Sequence, residues 1–397
     1  MEELQGRLIR PTTMQEHNAY VVLQFIKHEG PVSRADIARS LGFSKSAISG
    51  IVSFLTAERL VQVVGQGSPR TGRKSELLSF DPSAALHIGV DLRARDLNMA
   101  FIDLSGKVFS RVSIAMPESR SPKSVVDSVI RGYEHLSETI ANASSKTKAI
   151  GLMVPGIVDP ERGSVIYSSN LDWSVSVELS DLIEQKLGLP VYLENDANAL
   201  GLAELWVGRG AEFSSIAYLY LGRRVGGAFV SKSQLFRGSS YAGVEAGKTI
   251  VCTSRGPLNV ETALSGEWLS ELFGEQPIPT EDLEGYVMQL LSTGEAYDGN
   301  FEIVQYISDI FGQLVSNVIA MFNPEAVFID TPVAELNTTL LPKVSERVRD
   351  LLPVLPAREI RVFPSSLRRE DEVIGGAALA MYRSRFRFLL TGRQPAE

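Results

Sequence analysis

Two stretches constrain the fold more than any others. "ALHIGVDLRARDLNMAFIDLSGKV" (85–108) and "SIAYLYLGRRVGGAFVSKS" (215–233) each read as apolar strands joined by turns that contain glycine. After the first come helical patterns near 122–144 and 178–187, with strands "KAIGLMVPG" and "VYLEND" between and after them. Strands alternating with helices predict an α/β body with mixed sheets. The same opening used twice predicts a duplicated body of two lobes with a cleft between them.

The chain has 397 residues, which favours more than one domain. No apolar run approaches the ~18 residues of a membrane span. "MEELQGRLIR" does not resemble a signal peptide. Cys252 is the single cysteine, so no internal disulfide forms, which suits a reducing compartment. A cytoplasmic location without membrane partners is expected.

Charge is uneven. The net charge is −8, yet residues 1–80 carry ten Lys+Arg against seven Asp+Glu, net +3, and the remainder is −11. Within that basic head, "HNAYVVLQFIKHEG" has Ala19, Val22, Leu23, Phe25 and Ile26 near helical spacing. Ser33 is placed to cap a short helix with Ile37, Ala38 and Leu41 on one face, ended by Gly42. Ser44 is placed to cap a third helix carrying Ile48, Ile51, Val52 and Leu55. This order is a helix-turn-helix. "VQVVGQGSPRTGRKSELLSF" then reads as two strands around a basic loop, a wing.

The candidate DNA contacts are Arg34, Ser44, Lys45, Ser46 and Ser49, the serines and Lys45 entering a major groove, with Arg70, Arg73 and Lys74 on the wing. Winged three-helix units also serve as protein-docking modules, and that alternative stays open here.

Asn195 and Asp196 in "LENDANALGLAEL" stand where a strand ends and a helix begins. Such a position faces the ligand crevice of α/β proteins, and a carboxylate beside a carboxamide suits sugar hydroxyls. It is equally a helix cap.

In order along the chain, "IGVDL", "GLMVPGIVD", "SSNLDW", "LENDANALGLAE", "LFRGSSYAGVEAGK" and "NVETALSG" resemble the ROK family (repressors, open reading frames and sugar kinases). The resemblance implies an N-terminal winged helix-turn-helix over residues 1–80. It also implies an actin-like, duplicated ribonuclease-H-like body. Residues 81–200 would form the first lobe, completed by about 373–397, and 201–372 the second. It places a sugar in the interlobe cleft against Asn170, Asn195, Asp196, Glu245 and Glu261, with "VPG" (154–156) supplying backbone contacts. In kinase members the residue matching Asp196 is also the general base.

Departures from the family pattern bear on activity. The first phosphate hairpin is expected to be glycine-rich with a threonine, but reads "VDLRARDL", with Arg93 and Arg95. The second, expected to resemble "GTGIGGG", reads "GRRVGGA", with Arg223 and Arg224. "DTP" (330–332) replaces a glycine pair on the adenosine side. Side chains in these loops crowd the space where backbone amides approach phosphates. The family's zinc ligands, one His and three Cys, are missing: Lys248 stands in the histidine slot and only Cys252 remains. Lys248 is expected to donate to a sugar hydroxyl or to pair with Glu245.

The expectation is a sugar-responsive regulator, with no catalytic residues in use and no ATP or zinc. It binds operator DNA as a homodimer or homotetramer. The cleft takes a sugar or a sugar derivative; Arg223 and Arg224 are expected to form surface or interlobe salt bridges, with receipt of an anionic sugar as the alternative. The rivals are a bifunctional sugar kinase and a regulator controlled by a protein partner.

Overall fold

The computed structural model describes residues 11–67, 75–93, 96–140, 146–221, 224–273, 301–331, 334–352, 361–384, 386–387 and 389. The head holds helices α1 (Pro11–Glu29), α2 (Arg34–Leu41) and α3 (Lys45–Ala57). Ala19, Val22, Leu23 and Ile26 of α1 pack with Ile37, Ile48, Val52 and Leu55 in one buried cluster. Ser33 caps α2 by accepting from Asp36 N at 3.2 Å, and Ser44 caps α3 through Ala47 N at 3.2 Å. Gly42 ends α2 in the left-handed region (φ 71°), which costs glycine little. Strands β2 (Val61–Gln66) and β3 (Glu76–Phe80) form the wing's sheet. A two-residue strand, β1 (Val32–Ser33), adds to it by pairing with β3.

In the body, β4 (Leu86–Asp91), β5 (Asp96–Asp103), β6 (Val108–Ala115) and β7 (Thr147–Val154) open the first lobe. The hairpin β8 (Ile157–Asp159) and β9 (Ser164–Tyr167) leads on to β10 (Val191–Asn195). The second lobe has β11 (Ser215–Leu221), β12 (Val225–Ser231) and β13 (Gln234–Leu235). The hairpin β14 (Ile250–Thr253) and β15 (Gly256–Asn259) precedes β16 (Ala326–Asp330) and β17 (Arg361–Pro364).

The two main sheets run β6-β5-β4-β7-β10 and β13-β12-β11-β16-β17. Each has three antiparallel strands followed by two parallel ones, so the duplication extends to pairing. All six residues of β4 and all five of β16 are buried, as expected of strands covered on both faces.

Helices α4 (Pro122–Glu138), α5 (Leu179–Leu187) and α6 (Asp196–Val207) follow strands of the first lobe. The second lobe uses α7 (Val260–Ala263), α8 (Gly266–Phe273), α9 (Phe301–Phe322) and α10 (Ala334–Leu351). Helix α4 stops at Glu138, short of the expected 144; residues 141–145 lie outside the described set. The last helix, α11 (Ile374–Arg383), lies against the backbones of β4 and β7. A Cβ on Gly89 would meet the Val373 carbonyl oxygen at 1.9 Å, and one on Gly151 the Gly376 oxygen at 1.9 Å. Only glycine permits so close a crossing, and it brings Glu372, just before α11, beside Arg93.

Candidate functional site

Strands β4, β7 and β10 run parallel, so their C-terminal ends share one edge. Asp91 and Glu194 both register with Met153, one on each side of β7. Two residues beyond them come Arg93 and Asp196. An α/β sheet binds its ligands at this edge.

Asn195 is the N-cap of α6: its Oδ1 accepts from Asn198 N at 3.3 Å, and its Nδ2 donates to the Gly156 carbonyl at 3.0 Å. The cap is therefore formed, and one proton and one lone pair of the amide remain for a ligand. Asp196 opens the helix, and Oδ1 accepts from its neighbour Ala197 N at 3.0 Å. Burial pushes its carboxyl up to about 6, with Arg93 pulling in the opposite direction. Asn170 follows β9. Its carbonyl accepts from Arg120 Nη1 at 2.6 Å, and the nearby Ser168 hydroxyl donates to Pro155 O at 2.6 Å, tying this turn to the 155–156 loop.

Glu245, Lys248 and Glu261 form a second group. Lys248 pairs with Glu261 and not with Glu245, a correction to one expected pairing. The pair is short-ranged because Glu261 opens α7, whose start packs beside Gly247. Glu245 is raised by desolvation and by Glu261, with Lys248 and Arg224 opposing. Val244 beside it has φ 59°, where a β-branched residue is strained by about 1–2 kcal/mol.

Glycines join the two groups. A Cβ on Gly226 would meet Ala197 Cβ at 2.9 Å, and one on Gly227 would meet the Val244 oxygen at 2.8 Å. One on Gly247 would meet Val225 O at 2.7 Å. So the glycines that survive in "LGRRVGG" seat β12 between α6 and the Glu245 loop. Arg224 is exposed; Gly222 and Arg223 lie outside the described residues, as does Arg95.

Arg93 is anchored. Its Nε and Nη2 grip Asp91 at 3.0 and 2.7 Å, and Nη2 also reaches Glu372. Its guanidinium lies 5.1 Å from the ring centre of Tyr220, in the second lobe. Burial raises the Glu372 carboxyl to about 7 despite Arg93. Asp330 is buried and accepts from the Tyr218 hydroxyl. Glu194 is another residue the sequence did not single out: it is buried, accepts from Asn195 N and Asn198 Nδ2 at 3.0 Å each, and pairs with Arg237.

The donors around Lys248 do not fit a zinc ion. An ammonium fills the histidine slot, Cys252 is exposed, and among the described residues no cluster of His, Cys, Asp and Glu is placed to hold a metal. In the first hairpin Arg93 is held by Asp91 and Glu372, and residues 94 and 95 lie outside the described residues.

On the head, Ser44, Lys45, Ser46 and Ser49 are exposed along one side of α3, with Ser44 and Ser46 linked through their hydroxyls at 3.0 Å. Arg34 is engaged by Glu76 of β3. Arg70, Arg73 and Lys74 fall outside the described residues. Among the described residues no helix is long and apolar enough to cross a membrane.

Residues 87–383 match the model of the ROK family, and residues 15–74 match that of the MarR family. The xylose repressor of Bacillus subtilis is 24% identical over 376 residues, covering 93% of this chain and 96% of that protein. A glucokinase of Thermotoga maritima is 28% identical over 317 residues, covering 75% of this chain and 97% of the enzyme. A crystal structure of a ROK family transcriptional regulator, a homologue of the Escherichia coli MLC protein, superposes with a TM-score of 0.74. It is 19% identical and covers 96% of this chain and 98% of that one. That last likeness shows the shared fold, head included.

Proposed function

This chain belongs to the ROK family, and from that premise we propose that it is a sugar-responsive DNA-binding transcriptional regulator without kinase activity. A sugar sits in the interlobe cleft against Asn195, Asp196, Glu245 and Glu261, with Asn170 and Lys248 at its margin. Two heads on a symmetric dimer or tetramer hold the half-sites of an operator, α3 in the major groove and the wing alongside. The sugar binds one lobe arrangement more tightly than the other, and this difference alters how the heads meet DNA.

The observation that carries this reading is Arg93. Its side chain is fixed by Asp91 and Glu372 inside the hairpin where a phosphate-binding loop would present bare backbone. Asp196 keeps its place as a hydroxyl acceptor, but a general base without a phosphoryl donor transfers nothing. Neither ATP nor zinc is part of the proposal. The kinase-like relatives supply the rival, and a coupled assay of ADP release with Mg-ATP and a panel of sugars tests it. No turnover above background is expected; sugar-dependent turnover overturns the proposal.

A further inference from the structure

Three acids lie about one guanidinium: Asp91 and Glu372 hold Arg93 directly, and Asp196 stands on the same sheet edge, where Arg93 acts on its carboxyl. Arg93 and Asp196 each stand two residues beyond a partner of Met153, on the strands either side of β7, and the guanidinium lies over Tyr220 of the second lobe. Arg93 has a side chain nine-tenths buried, and its Nη1 has no hydrogen-bond partner among the described residues. A buried donor left unsatisfied is costly, more so when charged.

We propose that Arg93 Nη1 and the Asp196 carboxylate together form a clamp for one neutral sugar hydroxyl, and that this clamp rejects phosphorylated and acidic sugars. The hydroxyl oxygen accepts from Arg93 while its proton is donated to Asp196, which a neutral hydroxyl does and a phosphate ester does not. A phosphate brought here adds two negative charges to a site where acids already outnumber the single guanidinium, out of reach of bulk water. The hydroxyl also satisfies the orphaned donor, so the sugar favours the arrangement in which the two lobes meet around Arg93 and Tyr220. This specificity assignment rests on the sugar reading above, and it assigns selectivity to Arg93 and not to Arg223 and Arg224.

The test is isothermal titration of the full-length protein with D-glucose, D-xylose and N-acetyl-D-glucosamine. It adds the phosphate ester of whichever binds and its monodeoxy series. On the unaltered protein, the ester is expected at least tenfold weaker than its parent. One deoxy sugar is expected to lose about 10–100-fold, the range for a hydrogen bond to charged groups. Arg93→Lys, which keeps a cation between Asp91 and Glu372, is expected to lose a similar factor for the parent and little for that deoxy sugar. Its melting curve verifies folding. An ester that binds as well as its parent overturns the inference, as does Arg93→Lys binding every sugar like the unaltered protein. Heat from no sugar at all fells the sugar reading and the inference together; sugar binding indifferent to Arg93 fells the inference alone.

Discussion

Arg237 donates its Nε hydrogen to Glu194 Oε2 at 2.7 Å, joining a loop of the second lobe to the strand that ends in Asn195. Glu194 is 1% exposed and also holds Asn195 N and Asn198 Nδ2, so the pair fixes the start of α6. Arg237→Met leaves that carboxylate buried and unpaired. It is expected to cost about 3–5 kcal/mol. Urea denaturation checks this, with Glu194→Gln expected to lose less because the amide carries no charge.

Sugar affinity is expected to fall with acid. The Asp196 carboxyl titrates at about 6, so it is mostly an acceptor at pH 7.5 and mostly protonated at pH 5. Affinity should decline through pH 6, with Glu372 beside Arg93 titrating at about 7 just above that step, measured by titration calorimetry. Asp196→Asn should bind weakly at every pH and lose this step.

Stability also falls with acid, through His87. It is fully buried, its ring nitrogens have no partner among the described residues, and it meets Phe386 edge-on at 5.8 Å. Burial, aided by Lys148, lowers it from 6.5 to about 4. The unfolded chain therefore takes up the proton first as pH drops from 6.5 towards 4, and stability is lost across that window. His87→Leu should remove this loss. Relative to pH 7.5, the variant should gain about 2 kcal/mol over the unaltered protein at pH 5, by thermal or urea melts. Taking the difference cancels the opposing contributions of Asp196 and Glu372.

On the head, contact and folding roles separate. Lys45→Ala should weaken binding to all DNA sequences about equally and flatten the salt dependence by about one phosphate contact. Ser49→Ala should change sequence preference. Ser44→Ala should cost about 1 kcal/mol of stability through loss of the α3 cap, whatever its DNA contact. Anisotropy titrations over salt, with parallel melts, check all three.

Local chemistry made much of this legible. The caps at Ser33 and Ser44 and the left-handed Gly42 act within a few residues, so the helix-turn-helix could be read directly. The two lobes were visible because each repeats the same alternation of apolar strands. Long-range partners were not. Glu372 lies 279 positions from Arg93, and nothing local to "VDLRARDL" announces it. Strand β1 is two residues long and exists only through pairing with β3. The pairing of Lys248 with Glu261 over Glu245 was decided by the seating of Gly247 against α7, a tertiary contact. Glu194 drew no notice because an acid inside an apolar strand gives no local sign of the arginine that neutralises it.

The most direct measurement is the affinity of the full-length protein for its operator DNA, selected from a genomic fragment pool, with and without the bound sugar and Mg-ATP. The sugar alone is expected to change operator affinity about 5–150-fold, the range of ordinary allosteric coupling, with Mg-ATP adding nothing. Operator affinity unmoved by any sugar that binds the cleft, or moved only when Mg-ATP is present, would contradict the account.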